Sequence, residues 1–214
     1  MLHFHVITLF PESIGPYLKT SIIGRAQRGK KIKVSFYDPK KFTRQKHGRV
    51  DQRPYGGGPG MVLEPIAMLR AASKALKGKT EVERIFFTTE GRQFDEALAR
   101  KLSKKREILL ITGRYEGVDE RVPRILKAKK VSMGPYVLTG GELAAAVLID
   151  AVSRFIPGVL GKSESLEASR ISFPEVYTRP EIFVWKGKKY RVPKVLLTGH
   201  HAKIHAWKKR FLPR

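Results

Sequence analysis

The 214-residue sequence predicts an α/β fold built on a parallel sheet, and three observations carry that expectation. Between residues 84 and 155, short runs rich in β-formers alternate with runs of helical apolar spacing, as in successive strand–helix units. The strand ends in this stretch carry glycine-rich or small polar loops, Thr88-Thr89-Glu90-Gly91, Gly113-Arg114-Tyr115-Glu116-Gly117 and Gly134-Pro135-Tyr136, where a parallel sheet places its ligands. The chain is 42% hydrophobic and long enough to bury a core, either as one large domain or as a domain with a small appendage.

Residues 4–10 are rich in β-formers and read as a strand ended by Pro11. Ile32, Val34 and Phe36 alternate with polar neighbours, so 31–37 reads as a half-buried strand. Residues 41–60 are charged and then glycine-rich, which predicts a long loop of functional kind. Residues 65–76 have helical spacing with Pro65 at the start, where a helix accepts proline. The alternation then predicts strands at 84–89, 107–112 and 130–133, and helices at 94–102, 118–128 and 142–155. Residues 156–180 hold three prolines and many polar residues and read as a linker. Residues 186–198 suit one short strand or turn, and 200–211 a basic helix.

Forty-three Lys+Arg against nineteen Asp+Glu give a formal charge of +24, which points to a polyanion, nucleic acid first, as partner. Residues 161–214 hold 13 basic and 4 acidic residues and are the more basic part per residue. The absence of cysteine excludes disulfides, Cys-ligated zinc and Cys nucleophiles. The start of the chain lacks the pattern of a signal peptide, and no apolar run has the length of a membrane span, so a cytoplasmic protein is expected.

Tyr55-Gly56-Gly57-Gly58-Pro59-Gly60 is the densest glycine cluster. Glycines let backbone N–H groups approach an anion or a base closely, and the flanking Asp51 and Arg53 favour recognition over a plain surface turn. Gly161-Lys162-Ser163 resembles the end of a phosphate-binding loop, but Ile156 stands where the pattern needs glycine. Residues 134–142 run from a strand end into a helix start, whose free N–H groups suit a shared small-molecule pocket. His201 and His205 are four apart on the last helix but lack a third ligand, so no metal site is expected there. Trp185, Tyr190 and Trp207 stand among lysines and suit base stacking and a small C-terminal core equally.

A family resemblance emerges from Gly24-Arg25-Ala26, Phe42-Thr43, Val50-Asp51, Arg53 to Met61, Gly113 to Gly117, Asp119 to Val122, Tyr136-Val137-Leu138, Gly140 to Leu143, Ser153 to Gly161 and Tyr177 to Glu181. Over nearly its whole length the chain resembles the bacterial tRNA (guanine-N1)-methyltransferases of TrmD type. The resemblance implies a SPOUT fold, an α/β domain whose C-terminal part is threaded into a trefoil knot; where the family has a longer helical C-terminal domain, this sequence offers only a short basic C-terminal extension. It implies a homodimer whose sites use both chains, with tRNA as substrate and S-adenosylmethionine as methyl donor, and it leaves the participation of Mg2+ open. The activity implied is methyl transfer to N1 of the guanine 3′ of the anticodon, guanine 37.

The implied cofactor residues are Phe87, Thr88, Thr89, Gly113, Tyr115, Glu116, Met133, Gly134, Pro135, Tyr136, Val137, Leu138, Gly140 and Gly141. The implied RNA-facing residues are Asp51, Tyr55, Gly60, Glu116, Arg179 and Lys203. Arg154 matches the cation that stabilises charge on guanine O6. The domains expected are 1–160 for methyl transfer, 161–177 as linker and 178–214 as a truncated basic tRNA-binding region. One departure stands out. The family places an Asp in the linker as general base, whereas here Ser169 aligns with it and no Asp follows Asp150. A serine hydroxyl is a poor base without an activating partner, so Glu167 is the expected proton acceptor, with Glu164 next. The other readings are a SPOUT enzyme acting on a different RNA and a catalytically impaired RNA-binding protein.

Overall fold

In chain order the computed structural model runs β1 (Leu2–Ile7), α1 (Pro11–Lys19), α2 (Ser21–Arg28), β2 (Ile32–Tyr37), β3 (Asp51–Gln52), β4 (Val62–Leu63), α3 (Pro65–Leu76), β5 (Val82–Gln93), α4 (Glu96–Leu102), β6 (Glu107–Ile111), α5 (Arg121–Ile125), β7 (Lys129–Ser132) and α6 (Glu142–Ser153). The structure describes residues 1–160 and 175–209. The chain divides into two units, Met1–Leu160 and Gly161–Arg214.

The sheet of the first unit has the order β2-β1-β6-β5-β7, and all its pairings are parallel. Parallel sheets are covered on both faces, so their central strands are apolar on both sides. In β6, Ile108 and Leu110 join one core with Phe4, Val6 and residues of α1, α2, α4 and α6. Leu109 and Ile111 join the other with Ile7, Leu63 and residues of α3 and α5. Four alanines on α3 (Ala67, Ala71, Ala72 and Ala75) are fully buried, which lets that helix lie close against the sheet.

Several sequence expectations need correction. Pro11 both ends the first strand region and occupies the first turn of α1, a helix that its apolar pattern did not reveal; α2 was likewise not foreseen. The predicted helix over 94–102 begins at Glu96. Phe94 N still donates to Ser132 O at 2.7 Å, and Asp95 caps the helix by accepting from Leu98 N at 2.7 Å. The helix predicted over 118–128 shrinks to Arg121–Ile125, because Val118 bridges Leu63 and Lys127 adopts a positive φ. β5 runs to Gln93, past the expected end at 89. Phe87 and Arg92 both pair with Val131, and the four residues between them are looped out.

In the second unit β8 (Ile182–Trp185) and β9 (Lys188–Arg191) form an antiparallel hairpin. Lys186 and Gly187 at its turn both have positive φ, as a two-residue type I′ turn requires. α7 (Lys194–Leu197) and α8 (His201–Lys209) follow. The range 186–198 thus holds the expected short strand, β9, together with the hairpin turn before it and the short helix α7 after it, and its partner β8 lies just ahead of that range. Phe183 stacks on Tyr190 with ring centroids 5.3 Å apart, yet Trp185 is exposed.

The first unit also buries titratable groups. His3 and His5 point from β1 toward Glu107, with Tyr37, Lys33 and Lys79 nearby. Burial first, and then the neighbouring His5, pull the His3 pKa down from 6.5 to about 4. Burial likewise lowers His5, against the opposing pull of Glu107. Below pH 6.5 the unfolded chain takes up protons that the folded histidines refuse. Stability is therefore full above pH 6.5 and declines as pH falls, the His3 contribution being lost down to about pH 4 at no more than about 1.4 kcal/mol per pH unit, with His5 acting in the same direction. Thermal melts across this window will show a falling Tm that His3→Gln flattens; a slope unchanged by that substitution would contradict the assignment.

Candidate active site

The looped-out segment within β5 and the C-terminal ends of β6 and β7 open into a cavity of about 350 Å³. Three loops line it: Phe87 to Glu90, Gly113 to Val118, and Ser132 to Gly141 apart from Gly134 and Pro135. Ala144 in the first turn of α6 completes one wall. These segments meet because parallel strands end together, and the chain between each strand and its helix must leave the sheet there. Gly141 N donates to Gly113 O at 2.9 Å, and Arg114 bridges Gly140, so the second and third loops are tied together.

Of the residues implied by the resemblance, Phe87, Thr88, Thr89, Gly113, Tyr115, Glu116, Met133, Tyr136, Val137, Leu138, Gly140 and Gly141 line this cavity. Gly134 and Pro135 belong to the third loop but lie off the lining; Ser132 Oγ donates to Gly134 O at 3.1 Å. Tyr115, Tyr136 and Val137 are exposed around the opening. The lining combines apolar surface (Phe86, Phe87, Val131 and Ala144) with the carboxylates Glu90, Glu116 and Glu120. Arg114 and Lys130 add positive charge to the same lining, so the set suits a ligand with a flat heterocycle, sugar hydroxyls, a zwitterionic amino-acid end and a sulfonium, which is the make-up of S-adenosylmethionine.

The glycine-rich loop reaches the same place. Gly60 has φ +80°, and a Cβ there would overlap the Glu116 side chain. Glu116 N donates to Met61 O at 3.0 Å, and Leu63 N donates to Gly117 O at 3.0 Å. Asp51 lies on the short ladder opposite Leu63, with Arg49 Nε 3.6 Å from its Oδ1. Tyr55 is wholly exposed at the tip.

Two side chains that pack behind this cavity were not singled out by sequence. Glu142, 3% exposed at the start of α6, accepts a hydrogen bond from Thr8 Oγ1 at 2.9 Å. Arg114 Nε stands 3.1 Å from Glu142 Oε2, but neither atom has a hydrogen-bond partner among the described residues, so the contact is electrostatic and off line. The Arg114 guanidinium lies over the Phe10 ring at 4.6 Å. The pair joins β1, the second cavity loop and α6 behind the ligand space.

Arg154 is not brought to this cavity. It caps the far end of α6, a helix of 12 residues and roughly 18 Å. It borders instead a second depression of about 460 Å³, with Tyr17, Leu143, Val147 and Asp150. Tyr17 OH donates to Asp150 Oδ2 at 2.7 Å, and Leu143 and Val147 are both more than half exposed. Arg179 and Lys203 belong to the second unit. Glu167 and Ser169 lie outside the described residues. Among the described residues no helix is long and apolar enough to cross a membrane.

The family model described as "tRNA (Guanine-1)-methyltransferase TrmD" matches residues 2–212. The chain belongs to this family. A tRNA (guanine-N(1)-)-methyltransferase of Magnetococcus marinus is 41% identical, with 98% of this chain and 84% of that protein covered. The protein of the same name from Caldanaerobacter subterraneus is 43% identical, over 97% of this chain and 85% of the relative. Among solved structures, the tRNA (m1G37) methyltransferase of Aquifex aeolicus superposes with a TM-score of 0.80 at 40% identity, covering 98% of this chain and 88% of that one. In this TrmD-family chain the three-loop cavity and the lodged Gly60 are therefore the features on which a methyl-transfer reading rests.

Proposed function

We propose that this chain transfers a methyl group from S-adenosylmethionine to N1 of the guanine 3′ of the tRNA anticodon, guanine 37. The observation that carries the reading is the three-loop cavity with Gly60 seated against Glu116, since it joins a ligand-sized space to a backbone loop able to approach a flat base. S-adenosylmethionine supplies an activated methyl on a sulfonium. The protein's task is to align guanine N1 with that methyl, remove the N1 proton and balance the charge left on O6. Glu116 and the backbone near Gly60 orient the base edge, with Asp51 and Tyr55 in the same loop region. Arg154 meets the developing charge on O6. Glu167 accepts the proton, with Ser169 beside it in sequence; near-normal single-turnover transfer by Glu167→Gln would remove it from that role.

Arg154 lies a helix length from the cavity of its own chain, and exposed Leu143 and Val147 share its depression. Both features favour a homodimer in which each chain's Arg154 serves the other chain's cavity. The knotted SPOUT arrangement and a cytoplasmic setting belong to the same reading, and Mg2+ is an accessory to be tested by chelation. The deciding assay uses labelled S-adenosylmethionine and tRNAs that differ only at the base 3′ of the anticodon. Label should enter only where that base is guanine; label with adenine there, or none with guanine, overturns the proposal.

Residues 161–214, with 13 basic and 4 acidic residues, supply phosphate contacts, with Arg179 and Lys203 among them. Phosphate contacts release counterions, so tRNA affinity should fall on the order of 10³-fold between about 50 and 200 mM salt. A filter-binding series would measure this, and a flat response would remove phosphate contacts as the main source of affinity.

A further inference from the structure

Two histidines stand two residues apart on β1, so both side chains leave the same face of the sheet. The register sets His3 beside Glu107 on β6 and His5 beside Ser35 on β2. Glu107 Oε2 lies 2.6 Å from His5 Nε2 and 3.6 Å from His3 Nδ1. The far nitrogen of each ring is also held: His3 Nε2 lies 2.9 Å from Ser35 Oγ, and His5 Nδ1 lies 3.0 Å from Tyr37 OH. The two rings stand with centroids 3.8 Å apart. All of this sits at the beginning of β1 and β6, at the opposite end of the sheet from the methyl-transfer cavity.

We propose that His3, His5 and Glu107 form a binding site for a divalent transition-metal ion of the zinc class, separate from the methyl-transfer site. The geometry is that of three converging ligands. Zinc takes imidazole nitrogen and carboxylate oxygen at about 2.0–2.2 Å in tetrahedral arrangement, which separates neighbouring ligand atoms by roughly 3.3 Å. The observed 2.6 and 3.6 Å straddle that value, so small rotamer adjustments admit the ion. Metal-bound histidines are oriented by a hydrogen bond to their other nitrogen, and Ser35 and Tyr37 already stand at that position. Both imidazoles stay neutral at pH 7, so each offers a lone pair without first losing a proton. His5 is wholly buried, whereas the Glu107 side chain is 26% exposed and leaves one side open to water as a fourth ligand. Imidazole ligands select against Mg2+, which prefers oxygen. Lys33 and Lys79 oppose an added positive charge and moderate the affinity.

The test uses the full chain without an affinity tag, stripped with chelator and titrated with Co2+ as a spectroscopic stand-in for Zn2+. One equivalent should bind with visible d–d bands of low coordination number, Zn2+ should displace it, and Zn2+ should raise Tm. His3→Gln, chosen because His3 is less buried than His5, should weaken binding about 100-fold or more while the metal-free Tm stays close to the parent. A second variant carrying His200→Gln, His201→Gln and His205→Gln removes the remaining exposed histidines near α8 without touching the sheet, and it should keep the full equivalent. Failure of the parent chain to bind one equivalent, loss of binding in the α8 variant, or parent-like binding by His3→Gln would each overturn the proposal and leave a metal-free His–Glu hydrogen-bond cluster.

Discussion

Replacing Arg154 by alanine should slow single-turnover methyl transfer by about 10²–10³-fold, the usual cost of removing one group that stabilises developing negative charge. S-adenosylmethionine binding should stay near the parent value, because Arg154 lies off the lining of the 350 Å³ cavity. Arg154→Lys should recover part of the rate, since it keeps the charge but loses the planar fork. The position of Arg154 adds a sharper expectation. If each site uses the cavity of one chain and Arg154 of the other, mixing the Arg154→Ala chain with a chain crippled in the cavity restores one of the two sites in every mixed dimer. Two inactive parents that give an active mixture would establish the shared site. A mixture no more active than its parents would place Arg154 in service of its own chain, against the geometry of α6.

The second large effect belongs to Glu142. Glu142→Ala removes a buried carboxylate that accepts from Thr8 and stands against Arg114. Removing one partner of a buried pair typically costs about 3–5 kcal/mol. The Arg114 side chain is 25% exposed and can recruit water, so a loss of about 2–3 kcal/mol is expected here, or roughly 5–10 °C in Tm. Cofactor affinity should fall with it, because Arg114 holds the Gly113–Gly117 loop against Gly140 and its Nη1 donates to Thr139 O at 3.4 Å. Glu142→Gln retains an acceptor for Thr8 and should recover more of the stability than of the binding. Differential scanning calorimetry with isothermal titration reads both quantities. A Tm within one or two degrees of the parent for the alanine variant would show that the pair adds little.

The strand–helix alternation was legible because it is local. The spacing of apolar residues over 65–76 predicts α3 with its observed bounds, and the loops at 88–91, 113–117 and 134–136 stand out by composition before any contact is known. What escaped was set by distant partners. Thr8 and Glu142 are 134 residues apart, and nothing near either marks the other. Gly91 reads as an ordinary loop glycine, yet a Cβ there would come within 2.6 Å of the backbone carbonyl carbons of Lys130 and Val131. His3 and His5 carried no signal until β6 delivered Glu107 beside them.

By itself the sequence determined that this is a basic α/β protein of TrmD type, that its ligand loops lie at strand ends, and that its linker lacks the family's Asp. Charge, composition and short-range periodicity carry the basic α/β class and the loops, while the family type and the missing Asp rest on motif blocks that resemble the family; each is a property of neighbouring residues. Only the tertiary structure decided that Gly60 packs on Glu116, that Glu142 is buried against Arg114, and that Arg154 stands a helix length from the cavity of its own chain. These depend on strand order and helix length, which bring remote residues together or hold them apart regardless of their spacing in the chain.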